Sequence, residues 1–240
     1  MNPLNSYRVH CSLLLIAIMV SGCTSTSRQA AGLIGHLEAG DKRTIVTYGT
    51  SLTAEPWSTW VSDVQTELDR VYPGQVTIIN GAKGGMWSTW GVENLVPRVL
   101  RKRPNLVLIE FGINDAYLEY ETSVEQARAN LIDMINGIQQ WNPRCEIVLM
   151  TMNPPIEVHL ERRPDYEEYY EMYRDVAKER ALVLIDHQRR WEKILRRKPE
   201  LFDRYVPDGI HPGPEGCSEV IAPAVLKALG LRAQSTRATD

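Results

Sequence analysis

Four short segments of this chain carry residue types that together suit acyl transfer. Gly49-Thr50-Ser51-Leu52 offers a hydroxyl nucleophile at a glycine turn, and Asp208-Gly209-Ile210-His211-Pro212 offers a base with an acid three positions before it. With only two residues between them, the Asp208 carboxylate can accept from the Nδ1–H of His211. That fixes the tautomer and leaves Nε2 free to take a serine proton. Asn80-Gly81-Ala82-Lys83-Gly84-Gly85 is glycine-rich enough to bring bare backbone N–H groups to a substrate oxygen. Gly112-Ile113-Asn114-Asp115 adds a neutral side-chain donor. Each segment also has a plainer use. A turn serine can cap a helix, His211 can be a surface histidine, and Asn114 with Asp115 can close an Asx-turn. Asp115 is assigned that turn and no chemical role.

Position in the fold decides between these uses. Apolar and β-branched runs at 44–48, 76–79, 106–111, 146–150 and 181–185 have the continuous hydrophobicity of strands buried on both faces. Helical patterns lie between and after them, from Pro56 to about Tyr72 and at about 88–102, 123–141, 165–180, 188–197 and 214–229. Five β–α alternations predict a parallel sheet wrapped on both faces by helices. Ligands of such sheets bind beyond the carboxyl ends of the strands. Ser51 follows the first run, Gly84-Gly85 the second and Asn114 the third, so all three are expected at that edge. The helix from Pro56 is expected to aim its backbone N–H groups at Ser51.

The amino-terminal segment speaks to compartment. Arg8 and His10 precede an apolar run, Ser12 to Val20, which is too short to span a bilayer and right for a signal-peptide core. Val20-Ser21-Gly22-Cys23 resembles a bacterial lipobox, which implies cleavage after residue 22 and a lipid anchor on Cys23. Thr24 after the cysteine, rather than aspartate, implies by the same resemblance the outer membrane, at its periplasmic face. Polar residues 24–29 read as a tether, and 23–40 is assigned to the lipidated cysteine and tether together. The domain is expected over 41–232, with a tail at 233–240.

Composition excludes little but narrows the partners. About 200 residues suit one well-buried α/β domain. The formal net charge is −3, and −4 without Arg8, the one charged side chain before Cys23, so nothing favours nucleic acid. Of the remaining cysteines, Cys145 and Cys217 are expected to pack as thiols, with a disulfide the alternative. His36, His159 and His187 show no ligand spacing and read as structural or solvated. No metal and no cofactor is expected. Arg189, Arg190, Lys193, Arg196, Arg197 and Lys198 read as a solvated helix face, with anionic headgroups the sharper alternative.

In these four segments the chain resembles the SGNH hydrolases, the GDSL esterase/lipase family, over nearly all of the sequence after Cys23. Ser51 matches the nucleophile, Gly85 the second block's glycine, Asn114 the third block's asparagine, and Asp208 with His211 the last block. The resemblance implies a three-layer αβα sandwich on a five-stranded parallel sheet, of the flavodoxin-like SGNH kind. It implies an oxyanion hole of the Ser51 and Gly85 N–H groups with the Asn114 amide. Two positions depart from the pattern. Thr50 stands where aspartate is usual, and Gly84 where serine is usual. The implied reaction is hydrolysis of a carboxylic ester through an acyl-enzyme on Ser51. Trp57, Met86, Trp87, Trp90 and Tyr117 follow the edge motifs and could stack on sugar faces, which suits O-acetyl groups on a glycan or small ester. The inward-facing alternative is the expectation for Trp57 and Trp90. Lysophospholipase or thioesterase action competes, as does a catalytically silent glycan-binding lipoprotein.

Overall fold

Strand 43–49 is the hinge of the architecture, because the chain builds outward from it in both directions. The computed structural model describes residues 32–231. Residues 1–22, Cys23 and the tail at 233–240 lie outside the described residues. The sheet runs β2 (Val76–Asn80), β1 (Arg43–Gly49), β3 (Leu106–Glu110), β4 (Glu146–Thr151), β5 (Val183–Asp186), with every neighbouring pair parallel. The order reverses between β1 and β3, which opens a crevice above their carboxyl ends. Ile45, Val46 and Tyr48 of β1 and all of β3 are buried, as the unbroken apolar runs require.

Helices cover both faces. They are α1 (Leu33–Glu38), α2 (Trp60–Val71), α3 (Ser88–Arg98), α4 (Gly112–Asp115), α5 (Val124–Trp141), α6 (Val158–Glu161), α7 (Tyr166–Glu179), α8 (His187–Arg197) and α9 (Pro199–Tyr205). The closing segment is α10 (Pro214–Gly216), a π-helical stretch (Cys217–Ile221) and α11 (Ala222–Ala228). Ser123 caps α5 by accepting from the Gln126 N–H at 3.2 Å. On α8 the residues His187, Gln188 and Trp191 face inward, and Lys193, Arg196 and Arg197 are exposed, as is Lys198 just after it.

Three expectations are corrected. The tether assigned through residue 40 contains α1, whose Leu33 and Leu37 are buried in the core, so the folded domain begins at about residue 33. Two apolar residues four apart make that segment amphipathic, and burial wins over its polar flanks. The helix expected from Pro56 starts at Trp60 instead; Pro56 follows a cis peptide bond in the loop before it. The single helix expected over 214–229 carries a π-helical interruption. Cys145 and Cys217 are both buried and free, as expected, and burial pushes the Cys145 thiol up to about 12. Among the described residues no helix is long and apolar enough to cross a membrane.

Candidate active site

Ser51 opens the turn after β1, where the Thr53 and Ala54 N–H groups both donate to Thr50 O. The Trp60 indole N–H pins this turn by donating to Leu52 O at 3.0 Å. Because α2 begins only at residue 60, no helix N-terminus lies directly after Ser51, contrary to expectation, and on this side of the cleft only the turn's own backbone can offer N–H groups. The Ser51 Oγ lies 2.9 Å from His211 Nε2, although 160 residues separate them in sequence. His211 Nδ1 lies 2.7 Å from Asp208 Oδ2, the arrangement in which the ring N–H donates to the carboxylate. Asp208 Oδ1 also accepts from the Ile210 and His211 backbone N–H groups, at 3.0 and 2.7 Å. Partial burial pushes the Asp208 carboxyl up, but the backbone and ring N–H groups of His211, the Ile210 N–H and the His211 charge outweigh it and hold it below its ordinary value. The Asp208–His211 turn is fastened to the end of β4: Asn153 Nδ2 donates to Ile210 O at 2.9 Å, and the Ile156 N–H donates to Gly209 O at 2.9 Å.

The other expected residues reach the same cleft. Ser51, Gly85, Asn114 and His211 line one cavity of about 240 Å³, together with Trp57, Gly84, Tyr117, Tyr120, His159, Arg163 and Ile210. Gly85 takes φ +72°, a left-handed backbone that favours glycine, and its carbonyl accepts from the Tyr120 hydroxyl at 2.6 Å. Gly84 has its own reason to lack a side chain, since a Cβ there would come within 2.6 Å of the Trp57 ring. The indole fills the space a serine would use. Trp57 is thus not the inward anchor expected of it: it is 50 % exposed at the lip of the cleft. Trp90 does pack inward, with its ring centroid 5.8 Å from that of Tyr48. Met86 O accepts from Asn114 Nδ2 at 2.9 Å, and Trp87 stacks on Tyr120 with centroids 4.4 Å apart.

Asn114 is placed by an unusually well-tied turn. The Phe111 N–H donates to the Tyr173 hydroxyl at 2.8 Å, and the Asn114 and Asp115 N–H groups donate to Phe111 O. Asp115 does not merely close that turn. Its Oδ1 accepts from the Ser88 N–H at 2.8 Å, so a buried carboxyl caps the start of α3 and couples the second block to the third. Burial, against the Ser88 hydrogen bonds, pushes it up to about 7. His159, expected to be structural or solvated, lines the cleft instead. Sequence reasoning had no signal for it, because α6 is a single turn inside a proline-rich loop.

Glu110 is the residue the sequence reading missed most directly. It ends β3 opposite Gly49, is 2 % exposed, and its carboxyl lies under the nucleophile turn. Three groups donate to it: the Thr50 N–H at 2.7 Å, the Thr50 hydroxyl at 3.1 Å and the Thr53 hydroxyl at 2.8 Å. The Leu52 N–H donates to Thr50 Oγ1 at 3.1 Å, so Thr50 links the turn to the acid beneath it. This accounts for the departure at position 50. A threonine hydroxyl donates to Glu110 and accepts from the Leu52 N–H at once, whereas an ionised aspartate could only accept. Gly49 is required for the same reason, since a Cβ there would overlap the Glu110 carboxyl. Burial, outweighing those donors, pushes Glu110 up to about 8. A signal was present: a lone acid closing the otherwise apolar run Leu106-Val107-Leu108-Ile109.

With a serine, a histidine and an aspartate hydrogen-bonded in series at the reversal point of the sheet, the comparisons are specific. Residues 46–217 match the GDSL-like Lipase/Acylhydrolase family. The chain belongs to that family. An arylesterase from Vibrio mimicus is 25% identical over 224 residues, covering 90% of this chain and 98% of that one. An acetylxylan esterase from Geobacillus stearothermophilus shares the fold with TM-score 0.68 at 20% identity, over 81% of this chain and 98% of that one. A lipase/acylhydrolase from Enterococcus faecalis reaches TM-score 0.65 at 26% identity, over 77% and 94%. This GDSL hydrolase is therefore an esterase/acylhydrolase with the SGNH αβα architecture.

Proposed function

We propose that Ser51 is the nucleophile of a serine esterase that removes short acyl groups, O-acetyl above all, from a glycan or small ester. The observation that carries this is the hydrogen-bonded series Ser51–His211–Asp208 within a cleft of about 240 Å³. His211 takes the serine proton as Oγ attacks the ester carbonyl, and Asp208 holds the imidazole's orientation. The carbonyl oxygen gains the electron pair and is held by the Ser51 and Gly85 N–H groups and the Asn114 amide. The alcohol leaves with the proton from His211, and water then hydrolyses the acyl-enzyme. The intact series favours turnover over a silent binding domain.

Cavity size supports the short acyl group, since about 240 Å³ is below the range that encloses a drug-sized ligand. The exposed Trp57 and the rings of Tyr117 and Tyr120 at the cleft offer flat apolar faces of the kind that stack on sugars. The Geobacillus acetylxylan esterase is consistent with acetyl esters. Lysophospholipase or thioesterase action is the second reading, favoured by the exposed Leu118, Val158 and Leu160, which flank the cleft residues Tyr117 and His159 in sequence. Acetate release from acetylated xylan, run beside fatty-acid release from a lysophospholipid, separates them. We expect acetate release to be faster by about tenfold or more, a difference of roughly 1.4 kcal/mol in barrier. Faster fatty-acid release would overturn the short-chain reading.

The lipobox-like Val20-Ser21-Gly22-Cys23 supports anchoring through a lipid on Cys23 to the outer membrane, with the domain on the periplasmic face. Cys23→Ser is expected to move the enzyme from the membrane pellet to the soluble fraction with unchanged hydrolysis of a soluble ester. A pellet distribution like that of the wild type would refute the anchor.

A further inference from the structure

Arg163 is a buried cation with no anion to balance it. It lies between α6 and α7 and is only 8 % exposed. Its Nε donates to Ile113 O at 2.9 Å, and its Nη2 lies 3.4 Å from Asn114 Oδ1. The guanidinium carbon stands 4.6 Å from the Tyr117 ring centroid. Nη1 is buried without a hydrogen-bond partner. Among the described residues no carboxylate lies within ion-pair distance of it; its neighbours are the neutral phenols of Tyr117, Tyr120 and Tyr170 and the like-charged Arg162. Burial accordingly lowers its affinity for the proton. An unpaired buried charge of this kind is costly to the fold.

What the guanidinium does is set the orientation of one amide. Asn114 has a carbonyl end and an NH₂ end, and only the NH₂ end can serve an oxyanion. Arg163 Nη2 faces Oδ1, while Asn114 Nδ2 donates one of its two hydrogens to Met86 O, beside Gly85. The flipped amide would set NH₂ against guanidinium, donor against donor, and carbonyl against carbonyl at Met86. The cation and Met86 O together leave the second Nδ2–H for the cleft that holds Ser51.

We infer that Arg163 is a positioning residue of the oxyanion hole, which locks the Asn114 amide with its N–H toward the developing oxyanion and sets a positive charge behind that donor. The charge has no anionic partner in the resting enzyme, so it is balanced best when the tetrahedral oxyanion forms, which makes the interaction stronger in the transition state than in the ground state. The inference rests on the reading that Asn114 is an oxyanion donor.

The test uses Arg163→Met, Arg163→Lys, Asn114→Ala and the Arg163→Met/Asn114→Ala pair in the full chain. Arg163→Met is expected to lower kcat by about 10² with KM changed less than about threefold, the pattern of a lost transition-state interaction. Affinity for a boronic acid, whose tetrahedral anionic adduct on Ser51 resembles that state, should fall by the same factor. Arg163→Lys should recover part of both. The double variant should be little slower than Asn114→Ala alone, because Arg163 acts through that amide. Arg163→Gln replaces the methionine variant if the latter does not fold. If the losses multiply, or if kcat falls while boronate affinity is unchanged, the inference is wrong. If Asn114→Ala itself leaves kcat intact, the oxyanion reading of Asn114 fails; if Asn114→Ala is slow and Arg163→Met is not, only the role of Arg163 fails.

Discussion

Replacing Ser51 by alanine is expected to lower hydrolysis of p-nitrophenyl acetate by roughly 10³-fold or more, and His211→Ala by a comparable factor. The two losses should not multiply. Nucleophile and base act as one unit across 2.9 Å, so removing either removes the same step. The residual rate of the double variant should match that of either single variant, since binding and the oxyanion donors survive in all three. A fluorophosphonate probe reads the same chemistry covalently: it should tag wild-type Ser51 and fail on Ser51→Ala. Wild-type turnover by Ser51→Ala would remove Ser51 as nucleophile. An unlabelled but folded wild type would support a silent domain instead.

Glu110 carries the second large effect, on stability as well as rate. In Glu110→Ala the Thr50 N–H loses a buried acceptor, the Thr50 and Thr53 hydroxyls lose theirs, and a cavity opens beneath the nucleophile turn. Together these should cost about 3 kcal/mol or more, measured by urea unfolding. Activity should fall too, because Ser51 stands on that turn. Glu110→Gln keeps the volume and an acceptor oxygen, and should retain most of the activity.

The glutamine variant also has a pH signature. Burial raises Glu110 from 4.5 to about 8, so the folded protein holds a proton that the unfolded chain has already released. The associated stability is fully present below about 4.5 and is lost as pH rises toward about 8. Asp115, raised from 3.8 to about 7, contributes with the same sign over a slightly lower window. Wild type should therefore lose stability with rising pH more steeply than Glu110→Gln, by up to one proton's worth of slope. Parallel curves for the two proteins would show that the carboxyl does not titrate in this way.

These two residues mark how far the sequence reaches. Ser51, Gly85 and Asn114 were legible because each follows a segment whose hydrophobic pattern names its element, and parallel sheets put such ends on one edge; Asp208 and His211 were legible as a local acid–base pair. The five strands were legible for the same reason: a strand buried on both faces leaves an unbroken apolar run. Single-turn helices such as α4 and α6 leave no period to read, and neither did the late start of α2 at Trp60.

What tertiary structure decided was which side chains meet without being near in sequence or sharing a periodic face. Register set Glu110 opposite Gly49, so that an acid from β3 underlies the serine turn and Thr50 becomes a fitting donor. Trp57 was an inward residue by helical spacing, but the loop before α2 carried it over Gly84 to the lip of the cleft. Arg163 comes from a loop between two helices and reaches Asn114 across 49 residues. By itself the sequence determined the fold class and the esterase family, and it marked Ser51 and the Asp208–His211 pair as candidates, because element patterning and short motifs are written in neighbouring residues. The supports of that chemistry depend on strand register and loop packing, which only the assembled chain fixes.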